Sequence, residues 1–224
     1  MKKSCVVIGS GIAGIASAVR LAAKGHDVTV YEKNAYPGGK IKELRTDSGF
    51  RFDIGPSVFM LPYLVDELFT LCNKTPKDYF SYKPIETSFN YFYEDGTLIK
   101  GYADTKDFTR ELVEKTGVSE EVFHAYLKDI ETKFNITKEV FIENSLHVFK
   151  NYFTKAMAYG IINFGKIHAF KTMNELNRKY FKDERVVQLF NNYASYIGSN
   201  PFVAPATLNV IQHIEINTGV FMPE

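Results

Sequence analysis

Tryptophan is missing from the 224 residues, and cysteine occurs twice, as Cys5 and Cys72, far apart and without a CxxC pair. That scarcity argues against a disulfide scaffold or a cysteine-ligated zinc site and points to a reducing, cytoplasmic compartment. An excess of one charge is lacking too: 27 Lys and Arg against 26 Asp and Glu leave a formal net charge of +1. Nucleic acid is therefore not expected as a partner, because phosphate binding needs a concentrated basic surface. No run of about 18 uncharged apolar residues is available to cross a bilayer as a helix. Repeats and low-complexity tracts are absent, and the five histidines show no metal-ligand spacing, so no metal is expected. What is present is 45% hydrophobic and 24% charged, the composition of a folded globular chain. All aromatic content comes from 19 Phe and 14 Tyr, which need a core, a ligand or a lipid face to cover them.

The first sixty residues carry the strongest pattern. Ser4 to Ile8 is a short apolar run of the kind buried on both faces of a parallel sheet. Gly9-Ser10-Gly11-Ile12-Ala13-Gly14 follows and opens a helix to about Lys24, with Gly25 as its stop. Asp27 to Tyr31 reads as a second strand ending at Glu32. The glycines interrupt the apolar run that follows Met1-Lys2-Lys3, which suits a folded start better than a secretory leader. In dinucleotide binding Gly9 permits the tight turn, Gly11 lets backbone approach a pyrophosphate, and Gly14 allows close helix–strand packing. The helix N-terminus presents unpaired N–H groups to phosphate. Glu32, at the end of the next strand, is placed to accept hydrogen bonds from a ribose. Close behind it, Gly38 and Gly39 can face a second side of the pyrophosphate, with Lys40 as countercharge. Gly49 to Ser57 reads as a strand running into another backbone-exposing turn, Gly55-Pro56-Ser57.

Taken together, VVIGSGIAGIASAVRLAAKGHDVTVYEKNAYPGGK, FRFDIGPSVFMLP and, near the end, GSNPFVAPAT with GVFMP resemble the FAD-dependent carotenoid desaturases of the phytoene desaturase type, within the flavin amine oxidase superfamily. The second and third segments are closer to hydroxycarotenoid 3,4-desaturases. The resemblance implies an α/β fold: a Rossmann-like FAD-binding βαβ unit, residues 1–75, with an inserted mixed α+β substrate domain, residues 76–224. It implies that FAD is held by Gly9, Gly11, Gly14, Glu32, Lys33, Gly38, Gly39 and Lys40, with Gly55, Pro56 and Ser57 beside the flavin. Lys40 stands where the family commonly has Arg, a point charge in place of a bidentate contact. The implied reaction is desaturation of an apolar polyene, phytoene or a hydroxycarotenoid, by hydride transfer to flavin. The same resemblance leaves open a carotene isomerase, another flavin amine oxidase, or a non-catalytic fragment that binds nucleotide. Family members run to about twice this length, so the chain is expected to be incomplete and inactive alone.

In the middle of the chain, helices are expected over Pro62–Asn73, Asp104–Lys115 and Ser119–Phe134, and a hairpin over Ser88–Tyr102 turning at Asp95-Gly96. Ser145–Asn174 contains Lys150, Lys155, Lys166 and Lys171 but no Asp or Glu. On a helical projection Leu146, Phe149, Phe153, Met157, Gly160, Phe164 and Ile167 share one stripe, the pattern of an interfacial helix on an anionic bilayer, or of two short helices broken at the glycines. A core-packing helix with solvated lysines fits the same residues, and it is the resemblance to desaturases of lipid-dissolved substrates that implies a peripheral position on the inner face of the membrane. His213 and Glu215 flank Ile214 on a possible strand and would share a face. No catalytic acid or base is assigned.

Overall fold

The computed structural model describes residues 1–56 and 58–224. The chain divides into two compact units, Met1–Pro84 with Phe221–Glu224, and Ile85–Val220. The nine residues 76–84 and the last four, all beyond the boundary drawn at residue 75 from the sequence, group with the first unit.

In the first unit β1 (Ser4–Ile8) pairs in parallel with β2 (Asp27–Tyr31), Ser4 opposite Asp27 and Ile8 opposite Tyr31. The connection is α1 (Ile12–Ala23), which ends as Gly25 takes φ 83° and donates its N–H to the Ala22 carbonyl at 2.8 Å. Val7 faces α1, since a Cβ on Gly14 would lie 3.6 Å from its Cγ1. The opposite face is open: Val6 is 61% and Ile8 89% exposed. This corrects the expectation of a strand buried on both faces, because among the described residues the sheet holds β1 and β2 alone and no second layer covers it. A short antiparallel pair follows, β3 (Glu43–Arg45) with β4 (Arg51–Asp53), then α2 (Tyr63–Thr70). Arg20 of α1 clamps Glu67 of α2 through two hydrogen bonds of 2.8 Å. β5 (Tyr82–Pro84) pairs antiparallel with the final strand, and Phe59, Phe80, Tyr82 and Phe221 pack edge to face around that junction.

The second unit opens on a hairpin of β6 (Thr87–Phe92) and β7 (Leu98–Tyr102), with Gly96 at φ 81° in the turn. Helices follow wherever a cap begins them. Asp104 accepts from the Lys106 and Asp107 N–H groups ahead of α3 (Thr105–Thr116), and Ser119 caps α4 (Glu120–Thr137). α4 continues into a π-helical turn, Lys138–Ile142. α5 (Lys155–Ile162) is short; α6 (Met173–Tyr180) starts on a capping box of Thr172 and Glu175, and α7 (Glu184–Asn191) on Asp183. α8 (Val210–His213) runs into a second π-helical turn, Ile214–Thr218, before β8 (Phe221–Pro223) returns to the first unit. The core gathers Ile99, Phe108, Phe123, Tyr126, Ile130 and Phe190, all at most 3% exposed. Phe123, Tyr126, Phe181 and Phe190 interlock as ring pairs with centroids 4.8 to 6.2 Å apart.

Two expectations are revised here. His213 and Glu215 sit on helical turns, not a strand, and point to different partners: His213 meets the Asn217 amide at 2.8 Å, while Glu215 accepts from Tyr193 and Tyr196. A run of β-branched residues imitates a strand locally, but burial of its polar side chains against α4 and the Asn192–Ile197 turn stabilises the helical form. Ser145–Asn174 is likewise not one helix but a 3-10 turn, Phe149–Phe153, then α5, then a second 3-10 turn, Phe164–Ile167. Its apolar residues do not form one stripe. Ile167 is buried and Gly160 lies against Val140, while Phe149, Phe153, Ile161, Ile162 and Phe170 are exposed.

Candidate functional site: a glycine cradle at the carboxyl ends of the parallel strands

The site is built where β1 gives way to α1. Gly9 takes φ 98°, a backbone that L side chains rarely adopt, and its N–H bonds the Tyr31 carbonyl at 2.7 Å, fixing the turn to the end of β2. Gly14 has a purely steric role: a Cβ there would lie 2.0 Å from the Gly9 carbonyl oxygen. Gly11 caps α1 with extended backbone, no side chain accepts from the first helical N–H groups, and no acid stands in the first turn. Those N–H groups therefore form an electropositive, unsatisfied end. A Cβ on Gly11 would find only the Gly39 Cα within 4 Å, at 3.9 Å. That surface is free for another group to approach.

The second glycine pair lies against the first loop. Gly38 donates to the Ser10 carbonyl at 2.8 Å and bridges Gly11 in parallel fashion, while Gly39, at φ 62°, has room for nothing larger because a Cβ would come 3.0 Å from the Gly11 Cα. Gly9, Gly11, Gly14, Gly38 and Gly39 are thus brought together. Gly55 reaches the outer side of this pair: a Cβ there would lie 2.2 Å from the Lys40 carbonyl oxygen, and Ile54 donates to the Lys42 carbonyl at 3.0 Å. Lys33, Lys40 and Pro56 are exposed. Ser57 lies outside the described residues.

Glu32 closes the cradle. Its Oε2 accepts from the Ser10 N–H at 2.8 Å and the Ser10 hydroxyl at 2.9 Å, and its Oε1 from the Asn34 N–H at 2.9 Å and side-chain amide at 2.8 Å. The Asn34 and Ser10 backbone N–H groups, with the Ser10 hydroxyl, lower its carboxyl to about 2, so it is a full anion at neutral pH. Ser10 and Asn34 were not singled out from the sequence. The signal available was an Asn two places after an acid, able to cap its carboxylate locally, and a hydroxyl residue between two glycines, able to do so only once strand and loop are adjacent.

An adenine dinucleotide needs a backbone anion site, glycine surfaces that a pyrophosphate can touch, and a fixed carboxylate for ribose hydroxyls. The cradle has all three. Residues 7–75 match the NAD(P)-binding Rossmann-like domain family. Over 222 residues the chain is 38% identical to a 1-hydroxycarotenoid 3,4-desaturase of Flavobacterium sp. (strain P99-3), covering 99% of this chain and 45% of that protein. In sequence the chain is similar to carotenoid desaturases. It is also 29% identical over 214 residues to a 4,4'-diapophytoene desaturase of Staphylococcus haemolyticus (strain JCSC1435), covering 96% of this chain and 42% of that one. It therefore spans less than half the length of these desaturases. Among solved structures, cyclohexylamine oxidase from Brevibacterium oxydans IH-35A superposes with a TM-score of 0.59 at 16% identity, covering 99% of this chain and 46% of that one. A triple mutant of putrescine oxidase gives 0.58 at 11%, covering 100% and 46%. At these identities the likeness is one of fold.

Among the described residues, no group of three His, Cys, Asp or Glu side chains is arranged to hold a metal ion, and no helix is long and apolar enough to cross a membrane.

Proposed function

We propose that this protein is part of a FAD-dependent oxidoreductase that desaturates a carotenoid precursor, phytoene or a hydroxycarotenoid. The observation that carries the reading is the contact of Gly38 and Gly39 with the Gly9–Gly14 loop at the uncapped end of α1. Two glycine surfaces and one helix N-terminus then bracket a single pyrophosphate. In this reading Gly9, Gly11, Gly14, Gly38 and Gly39 shape the pyrophosphate site, Lys33 and Lys40 supply countercharge, and Gly55, Pro56 and Ser57 continue toward the flavin. All four acceptor positions of Glu32 are filled, so a ribose hydroxyl replaces Ser10 or Asn34 as donor to it. Bound flavin supplies the hydride acceptor. The 38% identity to a protein named for a hydroxycarotenoid substrate supports the substrate class.

The membrane reading belongs to residues 145–174. Phe149, Phe153, Ile162 and Phe170 are exposed, the last two by 81% and 93%, and the segment bears Lys150, Lys155, Lys166 and Lys171 with no acid. Exposed apolar side chains on a segment that also bears lysines are what a peripheral protein presents to anionic lipid, where a polyene is dissolved. The protein then sits on the inner, cytoplasmic face.

The test is the full-length protein, purified and scanned for a flavin absorption band, then mixed anaerobically with a carotenoid precursor in vesicles. Bleaching of the flavin with a polyene product of longer wavelength is the expected result. A protein that takes up no flavin, or holds flavin that no precursor reduces, would refute the proposal.

A further inference from the structure

The apolar, lysine-bearing segment is tied to the body of the second unit at its end, where the Lys171 carbonyl accepts from the Ala206 N–H at 2.8 Å, and at points before it. Gly160 of α5 packs on the end of α4, its Cβ position 3.6 Å from Val140 Cγ2, and buried Ile167 is pinned by the Thr207 hydroxyl donating to its carbonyl at 2.9 Å. The next residue, His168, adopts φ 53° and ψ 40°, a left-handed conformation that a non-glycine residue keeps only when its surroundings hold it. Its Nε2 lies 3.2 Å from Oδ1 of Asp129 on α4. The other oxygen of Asp129 is taken by Lys133 one turn on, whose side chain is 0% exposed. The Asp129 and His168 side chains are largely covered as well.

We propose that His168 and Asp129 form a proton-operated latch, which holds residues 145–171 against α4 and releases them on acidification. With the imidazole neutral, Nε2–H donates to Asp129 while the carboxylate's charge is met by Lys133. Protonation adds a second cation to a covered site whose one anion is already paired. The charged groups around the ring are Asp129 and Lys133 from α4 and Lys171 from the following turn. Burial comes first, then Lys133, with Lys171 last, and together they outweigh the attraction of Asp129, so the imidazole is held below the ordinary histidine value. The sign follows: a base whose bound-state pKa is depressed stabilises the latched form above about pH 6.5, and that stabilisation is lost as pH falls below it. An anionic bilayer surface concentrates protons with other cations, so the lysine-bearing segment and the latch respond to one cue. The latch depends on neither flavin nor carotenoid.

Hydrogen exchange of the amides of residues 155–168, corrected for the intrinsic pH dependence of exchange, tests this on the whole protein between pH 7.5 and 5.5. In the wild type, protection should fall by up to about tenfold, since a free imidazole is roughly ten to one protonated at pH 5.5. His168→Asn keeps a donor without a titration and should remove the response. Lys133→Gln should weaken it, because the imidazolium then becomes the partner of Asp129 while burial still opposes its charge. An unchanged wild-type profile, or the same response in His168→Asn, would overturn the latch. If His168→Asn does not fold, the wild type and Lys133→Gln decide: release undiminished in Lys133→Gln refutes it.

Discussion

Replacing Gly14 by Ala is the sharpest probe of the cradle. The added methyl would stand 2.0 Å from the Gly9 carbonyl oxygen and 3.1 Å from its carbon, so α1 and the loop must separate by more than 1 Å to reach ordinary contact. The loop cannot yield freely, because the Gly9 N–H is bonded to Tyr31 at 2.7 Å and Gly9 itself holds φ 98°. Overpacking of this kind costs about 1–3 kcal/mol, and a unit of this size loses about 4–8 °C in Tm for each kcal/mol. Gly11→Ala is the informative partner. Its methyl meets only the Gly39 Cα at 3.9 Å and its backbone is extended, so the fold should be unaffected while the surface offered to pyrophosphate is blocked. Thermal melts followed by circular dichroism, paired with flavin titration, should show a lowered Tm for Gly14→Ala. Gly11→Ala should keep the wild-type Tm with at least about tenfold weaker flavin binding, about 1.4 kcal/mol. Gly165→Ala, with nothing within 4 Å of the new methyl, is the control and should change neither. A Gly14→Ala protein that melts with the wild type, or a Gly11→Ala protein that binds flavin normally, would refute the reasoning.

Glu32→Ala removes the one carboxylate of the cradle and should weaken flavin binding by about tenfold or more by titration, as loss of a charged hydrogen-bonding group does. Because Glu32 is held at about 2, below its ordinary value, its contribution is present above about pH 4.5 and fades only as pH falls toward 2; flavin affinity that drops between pH 7 and 5 only when Glu32 is present would contradict this. Lys150, Lys155, Lys166 and Lys171 changed together to Gln should reduce cosedimentation with anionic vesicles, each basic residue near the surface being worth about 1 kcal/mol; equal binding across salt concentrations would remove the membrane reading. Glu215 is raised by burial against the opposing hydrogen bonds of Tyr193 and Tyr196, so its ionisation destabilises the fold as pH rises through that raised value. Glu215→Gln should therefore flatten the loss of denaturant stability as pH rises above the ordinary glutamate range, and identical pH profiles would show that the carboxylate is not destabilised by its setting.

Short-range chemistry explains what could be read from the chain alone. The β1–α1–β2 unit, the hairpin at Asp95-Gly96 and the caps at Asp104 and Ser119 depend on spacings of a few residues: alternation, glycine at positive φ, and a side-chain oxygen within reach of the next turn's N–H groups. The five cradle glycines and Glu32 were visible for the same reason. The tertiary structure decided matters in which partners far apart in sequence compete. Ser10 reaches Glu32 only after β2 returns beside β1, whereas Asn34 caps it locally from two residues on, and the open face of Val6 and Ile8 depends on which layers are present rather than on the residues themselves. Residues 210–218 carry a strand-like run, yet Gln212 and Glu215 find Tyr126, Tyr193 and Tyr196 across the core only on helical turns. The stripe projected over 145–174 dissolved because α4 offers a seat to Gly160, Ile167 and His168 and to few of their neighbours. Asp129 and His168 stand 39 residues apart, and periodicity holds no information about such a pair. A local pattern specifies which surface an element offers, whereas what meets that surface depends on how the rest of the chain packs.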